Sequence, residues 1–129
     1  MFIITGGGTG IGKSLALNLA NRGESVLVVG RREQPLINTS KLSENIEYVV
    51  ADITSSDDQQ KIVEVACEIS IKIKGLVHNA GTIMPIENMT DISKDDWLKS
   101  LATNVEPALF LTQSFYPHMQ GGRVLNISS

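Results

Sequence analysis

A cluster of glycines close to the start of the chain carries the strongest chemical signal in the sequence. Residues 5–12 read TGGGTGIG, follow the apolar pair Ile3-Ile4 and precede apolar residues at helical spacing. Glycine permits positive φ and the close approach of a ligand, and a helix N-terminus presents free N–H groups with partial positive charge. We therefore predict a nucleotide phosphate cradle built from a strand, a turn and a helix that begins near Ile11.

The letters of this turn fit two kinds of nucleotide site. The TGxxxGxG spacing over residues 5–12 suits a dinucleotide, although no glycine triplet here has the GxGxxG spacing. Residues 7–14 also match the P-loop pattern GxxxxGK(S/T), in which Lys13 would reach the terminal phosphates and Ser14 would hold magnesium. The apolar segment that ends at Asp52 resembles the metal-binding strand of P-loop enzymes. The turn by itself leaves both interpretations open.

Composition excludes several classes of function. The 129 residues suit one domain, and a hydrophobic share of 42% is ordinary for a globular protein. A net charge of −3 makes nucleic acid a poor partner, and no apolar run approaches membrane-spanning length. The single cysteine, Cys67, allows no internal disulfide and is expected to pack in the core. With no signal peptide expected, a soluble cytoplasmic protein is predicted.

Apolar strands alternate with amphipathic helices along the rest of the chain. Strands are predicted at about residues 2–5, 25–30, 46–51, 76–78 and 123–127. Helices are predicted at about residues 11–22, 57–74 and 93–119. Residues 33–44 are polar and are predicted to be a loop with room for one helical turn. Pro107 should kink the last helix and free the carbonyl of Thr103.

This alternation predicts an α/β fold, a Rossmann-like doubly wound parallel sheet with helices on both faces. One NAD(P)-binding domain is expected to span residues 1–129 and to stop after the fifth strand. Ligands of such sheets bind beyond the carboxyl ends of the strands, where the strand order reverses. The candidate chemistry therefore lies in the segments that follow the strands, which are Gly6–Gly12, Arg31-Arg32, Asp52-Ile53, Asn79–Gly81 and Ser128-Ser129.

The end of the second strand indicates which dinucleotide is bound. An NAD site normally carries Asp or Glu there, to hold the ribose 2′-hydroxyl. Here Gly30 is followed by Arg31 and Arg32, and a guanidinium binds a 2′-phosphate through charge-assisted hydrogen bonds. NADP(H) is therefore the predicted cofactor, ahead of NAD(H). The alternative interpretation is a pair of solvated surface arginines, and a P-loop would need no basic pair at this place.

Taken together, the strand ends resemble the short-chain dehydrogenase/reductase family along the whole chain. Residues 5–12 resemble its cofactor turn, and Asp52-Ile53 resembles the pair that contacts the adenine. His78–Gly81 is similar to its NNAG motif, with His in place of the first Asn. Asn104 stands where the family keeps an active-site asparagine, and residues 126–129 (NISS) resemble the strand that delivers the catalytic serine.

Spacing and resemblance together give a set of candidate cofactor residues, and no metal is expected. The set is Gly6, Gly8, Thr9, Gly10, Ile11, Gly12, Arg31, Arg32, Asp52, Ile53, Asn79, Ala80 and Gly81. The resemblance also implies hydride transfer between the nicotinamide and a small-molecule carbonyl or alcohol substrate. Ser129 by the usual alignment, with Ser128 as runner-up, would hydrogen-bond the carbonyl oxygen as it gains charge. Asn104 would support a water-mediated proton path.

One part of the family pattern is absent. A tyrosine in a YxxxK motif should donate the proton, yet Tyr116 is followed four positions on by Gln120 and precedes the fifth strand. Tyr116 is therefore predicted to be a packed helix residue, and His78 and His118 are predicted to be structural.

We accordingly expect a longer parent protein, an NADP(H)-dependent carbonyl reductase that forms a homodimer or homotetramer through its long helix. The 129 residues alone are expected to be inactive and to leave the fifth strand as an uncovered edge. Two alternatives stay open, a non-catalytic NADP(H)-binding domain and a P-loop NTPase.

Overall fold

The computed structural model describes residues 1–128 as alternating strands and helices around one parallel sheet. The elements in chain order are β1 (Phe2–Thr5), α1 (Gly10–Asn21), β2 (Val26–Gly30), α2 (Glu33–Ser40), β3 (Ile46–Val50), α3 (Ser56–Ile69), β4 (Gly75–His78), α4 (Lys94–Asn104), α5 (Glu106–Phe115), a 3₁₀ turn (Tyr116–His118) and β5 (Arg123–Asn126). No helix in this part of the chain is both long and apolar enough to cross a membrane.

The sheet is centred on β1, and its strand order is β3-β2-β1-β4-β5. Ile4 of β1 lies opposite Val28 of β2 on one side and Val77 of β4 on the other. The chain leaves β1 towards β2 and β3, then crosses back to β4, so the strand order reverses between β1 and β4. This confirms the predicted doubly wound architecture and places its switch point beside the glycine turn.

Two apolar cores, one on each face of the sheet, explain why the strand sequences are continuously apolar. Successive residues of a strand point to opposite faces, so Ile3 and Ile4 enter different cores. One core packs the sheet against α3 and α5 and includes Leu27, Ile62, Ala66, Leu76, Leu111 and Phe115. The other packs the sheet against α1 and α2 and includes Ala16, Ala20, Val28, Leu36 and Val77.

The prediction of a loop at residues 33–44 is wrong, because α2 occupies Glu33–Ser40. The helix buries only two side chains, Leu36 and Thr39, at one-turn spacing, and apart from Pro35 and Ile37 its other residues are polar. A pattern this weak does not reveal an amphipathic helix. The packing of Leu36 and Thr39 against the rest of the protein stabilises this helix, which has no continuous apolar face.

The helix α3 ends at Ile69, five residues before the predicted end at Lys74. Ser70 is extended, with φ −149° and ψ 132°. The segment that follows carries Ile73, which is 1% exposed, into the core and pairs the Lys74 N–H with the Met1 carbonyl at 2.8 Å. Entry into the sheet therefore ends the helix earlier than the apolar spacing indicates.

The predicted long helix at residues 93–119 is two helices. The break falls at Val105, and Pro107 lies in the first turn of α5, where a missing N–H costs nothing. A proline expected to kink a helix thus starts a new one, and the Thr103 carbonyl still receives no bond from residue 107. The predicted cap is confirmed, since the Ser93 hydroxyl accepts the Asp96 N–H at 3.1 Å.

The predicted uncovered edge at β5 is confirmed within residues 1–128. This strand pairs with β4 alone, and all four of its residues are exposed. Tyr116 is also exposed, at 79%, so the prediction of a packed helix tyrosine is wrong. Cys67 is partly buried and packs against the α3 core, as expected of a core thiol.

Candidate functional site

The glycine turn has the backbone shape that a phosphate cradle needs. Gly6 and Gly10 have φ of +66° and +54°, a region that side-chain-bearing residues seldom adopt. The Gly6 N–H donates to the Val29 carbonyl at 2.8 Å, which fixes the turn to the end of β2. Thr9 is the N-cap of α1, but its side chain makes no capping bond. The N–H groups in the first turn of α1 therefore donate no hydrogen bond to the side chain of the cap residue.

Asn79 fixes the other side of the turn from the end of β4. Its Nδ2 donates to the carbonyls of Thr5 at 2.9 Å and Gly6 at 3.2 Å. A Cβ at Gly12 would lie 2.5 Å from the same Nδ2 and 2.5 Å from the Gly6 oxygen. Glycine at position 12 therefore lets α1 begin directly against this amide, and the turn has no room to shift.

Thr5 joins the ends of β1 and β4. Its side chain is fully buried, and its hydroxyl donates to the Val77 carbonyl at 3.3 Å. The same oxygen accepts the N–H groups of Asn79 and Ala80, both at 3.0 Å. The sequence pattern includes Thr5 as the first letter of the turn, but its structural task of holding the switch point together was not predicted.

A cavity of about 400 Å³ opens beside the turn at the end of β2. Its lining combines the glycine turn with the arginine pair and the start of α2, and comprises Gly6, Gly8, Thr9, Gly30, Arg31, Arg32, Pro35 and Leu36. Both arginines are exposed, and neither forms a salt bridge within residues 1–128. Two arginines without a salt bridge among the described residues therefore line the same cavity as the backbone of the glycine turn.

Asp52 lies at the end of β3, next to this arginine pair. Its Oδ1 accepts the Thr54 N–H at 2.9 Å and the Thr54 hydroxyl at 2.8 Å. The backbone bond from Thr54, with help from its hydroxyl and from the charge of Arg31, lowers the pKa of the Asp52 carboxyl despite partial burial. The carboxylate is thus held ionised and in a fixed orientation. Ile53 is 8% exposed and belongs to the core.

Asn104, the last residue of α4, contacts the segment that follows β4. Its Oδ1 accepts the Thr82 N–H at 2.8 Å, and its Nδ2 donates to the Thr82 carbonyl at 2.9 Å. A Cβ at Gly81 would lie 3.1 Å from Oδ1, so the Asn104 side chain is in close contact with the backbone at Gly81. The side-chain amide is engaged with the backbone of one residue, and this pairing fixes the segment that leaves β4.

His78 has a structural environment. It is 8% exposed, and its Nε2 lies 2.9 Å from the Thr112 hydroxyl, which itself donates to the Ala108 carbonyl at 2.6 Å. Because the hydroxyl proton is used, we assign Nε2–H as the donor to Thr112. Burial lowers the pKa of His78, so the ring is held neutral and ties β4 to α5. His118, by contrast, is exposed.

The candidate serines follow β5. Ser128 is exposed, and the preceding Ile127 donates its N–H to the His78 carbonyl at 2.9 Å, which sets this segment beside the end of β4. Ser129 lies outside the described residues. The structure thus brings Ser128 to the same edge of the sheet as Asn79–Gly81.

The P-loop interpretation requires Ser14 and Asp52 to meet at one magnesium ion. The strand before Asp52 pairs with β2 and is separated from β1 by that strand. Two strand spacings amount to about 10 Å, so the end of β3 does not reach the start of α1. The topology that brings the arginines to the glycine turn keeps these two residues apart.

Sequence reasoning missed the contact between α2 and the glycine turn. A Cβ at Gly8 would lie 3.0 Å from the Pro35 Cβ and 3.4 Å from the Leu36 nitrogen. The Thr39 hydroxyl, fully buried, is 3.3 Å from the Gly8 carbonyl. In the sequence, only the one-turn spacing of Leu36 and Thr39, after the arginine pair, could have indicated a helix that packs here.

Comparison with known proteins identifies relatives along the whole chain. A family model described as short chain dehydrogenase matches residues 1–129. An uncharacterized oxidoreductase of Staphylococcus aureus (strain USA300) is 26% identical over 132 aligned residues, covering 98% of this chain and 57% of the relative. The chain therefore spans about half the length of the curated relatives it matches.

Solved structures share the same fold. A short-chain dehydrogenase/reductase of unknown function from Caenorhabditis elegans, crystallised with cofactor, superposes with a TM-score of 0.93 at 33% identity, covering 99% of this chain and 52% of that one. A variant of actinorhodin polyketide ketoreductase with NADPH gives a TM-score of 0.89 at 26% identity, covering 99% and 52%. The fold described above is thus shared with a solved short-chain dehydrogenase/reductase and a solved ketoreductase.

Proposed function

The chain belongs to the short chain dehydrogenase family, and on that basis we propose that it forms the cofactor-binding part of an NADP(H)-dependent oxidoreductase. The substrate class is a small carbonyl compound or the corresponding alcohol. One observation carries the cofactor preference, namely the cavity that Arg31 and Arg32 share with the glycine turn. A relative crystallised with NADPH supports the same direction by analogy.

The residues of the site fit a dinucleotide with a 2′-phosphate. The turn that begins α1 offers backbone N–H groups to the pyrophosphate, and side chains at Gly6 or Gly12 would close it. The two guanidinium groups would bind the 2′-phosphate, and the oriented carboxylate of Asp52 would accept a bond from the adenine amino group. When bound, the nicotinamide supplies or accepts the hydride.

The chain's own residues prepare the reacting edge. Asn104 holds the backbone of Thr82, so the segment leaving β4 keeps one position. A serine after β5, Ser129 by family alignment, would donate a hydrogen bond to the substrate oxygen as negative charge develops there. The carbonyl of Thr103, beside the break between α4 and α5, is available to hold a water molecule in the proton path.

A second candidate is a domain that binds NADP(H) without turnover, and a YxxxK motif is the feature that distinguishes a reductase from it. Neither tyrosine is followed by lysine four positions on, since Tyr48 is followed by Asp52 and Tyr116 by Gln120. A proton donor with lowered pKa is thus missing from these 129 residues. We expect the chain alone to bind NADPH and to show no NADPH-dependent carbonyl reduction.

The proposal includes a homo-oligomeric state and a cytoplasmic location. Several large apolar side chains of α4 and α5 are exposed, among them Trp97 at 56%, Leu109 at 55% and Phe110 at 47%. A surface of this kind suits burial in a homodimer or homotetramer. The lone cysteine and the NADP(H) chemistry suit the reducing cytoplasm.

The cofactor preference is tested by titrating NADPH and NADH against the purified chain and the double variant Arg31→Ala/Arg32→Ala. Loss of charge-assisted bonds to the 2′-phosphate should weaken NADPH binding by about tenfold to a hundredfold and leave NADH binding unchanged. Arg22→Ala is the matched control, because this exposed arginine lies at the far end of α1. Equal weakening of both cofactors, or no weakening, would reject the arginine assignment.

A further inference from the structure

Thr39 occupies an unusual position for a helix threonine. Its side chain is 0% exposed, and its hydroxyl lies 3.0 Å from the Pro35 carbonyl and 3.3 Å from the Gly8 carbonyl. The first contact is the ordinary back-bond within a helix. The second crosses 31 residues of sequence to the glycine turn. A buried hydroxyl costs free energy unless it is bonded, so an apolar residue would fill this site more simply.

The turn and α2 are also in contact at Gly8 and Pro35. A Cβ at Gly8 would come within 3.0 Å of the Pro35 Cβ and 3.3 Å of the Pro35 carbonyl carbon. Gly8, Pro35 and the arginines line the same cavity. The contact therefore joins the two sides of this cavity, which are the glycine turn and the start of α2 with its arginine pair.

The helix α2 links the arginine pair to the contact with the glycine turn. Arg32 is its N-cap, so the arginine pair stands at the start of the helix. Thr39 lies two turns along and reaches back to Gly8. Fixing the helix to the turn at Thr39 therefore fixes the separation between the backbone that receives the pyrophosphate and the side chains that receive the 2′-phosphate.

We propose that Thr39 is a positioning residue that sets this separation and so tunes the preference for a 2′-phosphorylated dinucleotide. The proposal rests on the proposed function, because it assumes that the arginines bind the 2′-phosphate. NADH contacts the turn but has no group for the arginines. A change in the separation between the glycine turn and the arginines therefore affects the binding of NADPH more than the binding of NADH.

The test is the ratio of the NADH and NADPH dissociation constants, measured by fluorescence titration. Thr39→Val removes the hydroxyl at nearly constant volume, and the pair Thr39→Ser and Thr39→Ala differs in the hydroxyl alone. The ratio should fall about threefold to tenfold in the Val and Ala variants and return towards wild type in Ser. Ser114→Ala is the control, because the Ser114 hydroxyl also back-bonds within its helix, to the Phe110 carbonyl, but lies outside the cavity.

The outcomes separate this proposal from the proposed function. A wild-type chain that prefers NADPH, with the same ratio in the variants, rejects the role of Thr39 and leaves the cofactor assignment intact. A lower melting temperature without a change in ratio also rejects that role, since it shows that Thr39 acts on stability only. A wild-type chain without NADPH preference rejects both. If Thr39→Val does not fold, the Ser and Ala pair decides.

Discussion

Strands β2 and β5 belong to the same parallel sheet and both carry a Val-Leu pair, yet the surroundings of the two strands differ completely. Residues Val26–Val29 of β2 are 0% exposed, whereas Val124 and Leu125 of β5 are 44% and 50% exposed. The strand β2 has a neighbour on each side and a core on each face, whereas β5 has β4 alone in the described part of the chain. Burial therefore follows from the position of a strand in the sheet.

The same difference separates two regions of the molecule. The region up to the end of β4 contains the glycine turn, the arginine cavity and most of both cores. The region after it contributes few core residues, and α4 has no fully buried residue among those described. The region up to the end of β4 is thus well packed within itself, while the region after it leaves apolar side chains exposed.

The largest effect expected from this comparison comes from a matched pair of leucines. Leu27→Ala empties a fully buried site in β2 and should lower the free energy of unfolding by about 2–5 kcal/mol. Leu125→Ala in half-exposed β5 should cost about 1 kcal/mol or less. Urea denaturation of both variants measures the difference. Similar losses would show that β5 is covered in solution and would break the comparison.

A smaller effect is expected at the junction of the two regions, where His78 of β4 contacts Thr112 of α5. Burial lowers the pKa of His78 below its ordinary value of 6.5, so the unfolded chain binds more protons than the folded one just below that pH. The free energy of unfolding should therefore fall as the pH drops below 6.5 and level off above it.

The pH dependence of stability can be assigned with two variants. His78→Gln should flatten the decline in the free energy of unfolding between neutral and mildly acidic pH, whereas His118→Gln, at an exposed site, should preserve it. Only the slope is compared, because His78→Gln also changes a buried contact. A slope that survives in His78→Gln would show that other groups titrate in this range.

Much of the fold was predictable because its signals are local. The apolar run that forms β2, the glycines at 6 and 10, and the Ser93 cap each act over a few residues, and the structure confirms them. The wrong predictions have distant causes. Packing against Gly8 stabilises α2, and entry of Ile73 into the core ends α3 early. Pro107 lies at the start of a helix because the helical stretch is interrupted at Val105. The spacing of the apolar residues does not reveal this interruption.

The candidate site shows the same division. The strand-end rule predicted which segments gather at the carboxyl edge, and the structure places those up to Ser128 there. The contacts that hold these segments in position link residues far apart in sequence, as Asn104 with Thr82 and Thr39 with Gly8 show. No spacing in the sequence indicates such pairs, so the positions of the site were predictable and its supports were not.

The most direct test of the central claim isolates the 2′-phosphate. Isothermal titration of the wild-type chain with adenosine 2′,5′-bisphosphate and with adenosine 5′-monophosphate compares two ligands that differ in that group alone. Binding of the bisphosphate at least about tenfold more tightly is expected if Arg31 and Arg32 receive it. Equal affinity for the two ligands would contradict an NADP(H) site in this cavity.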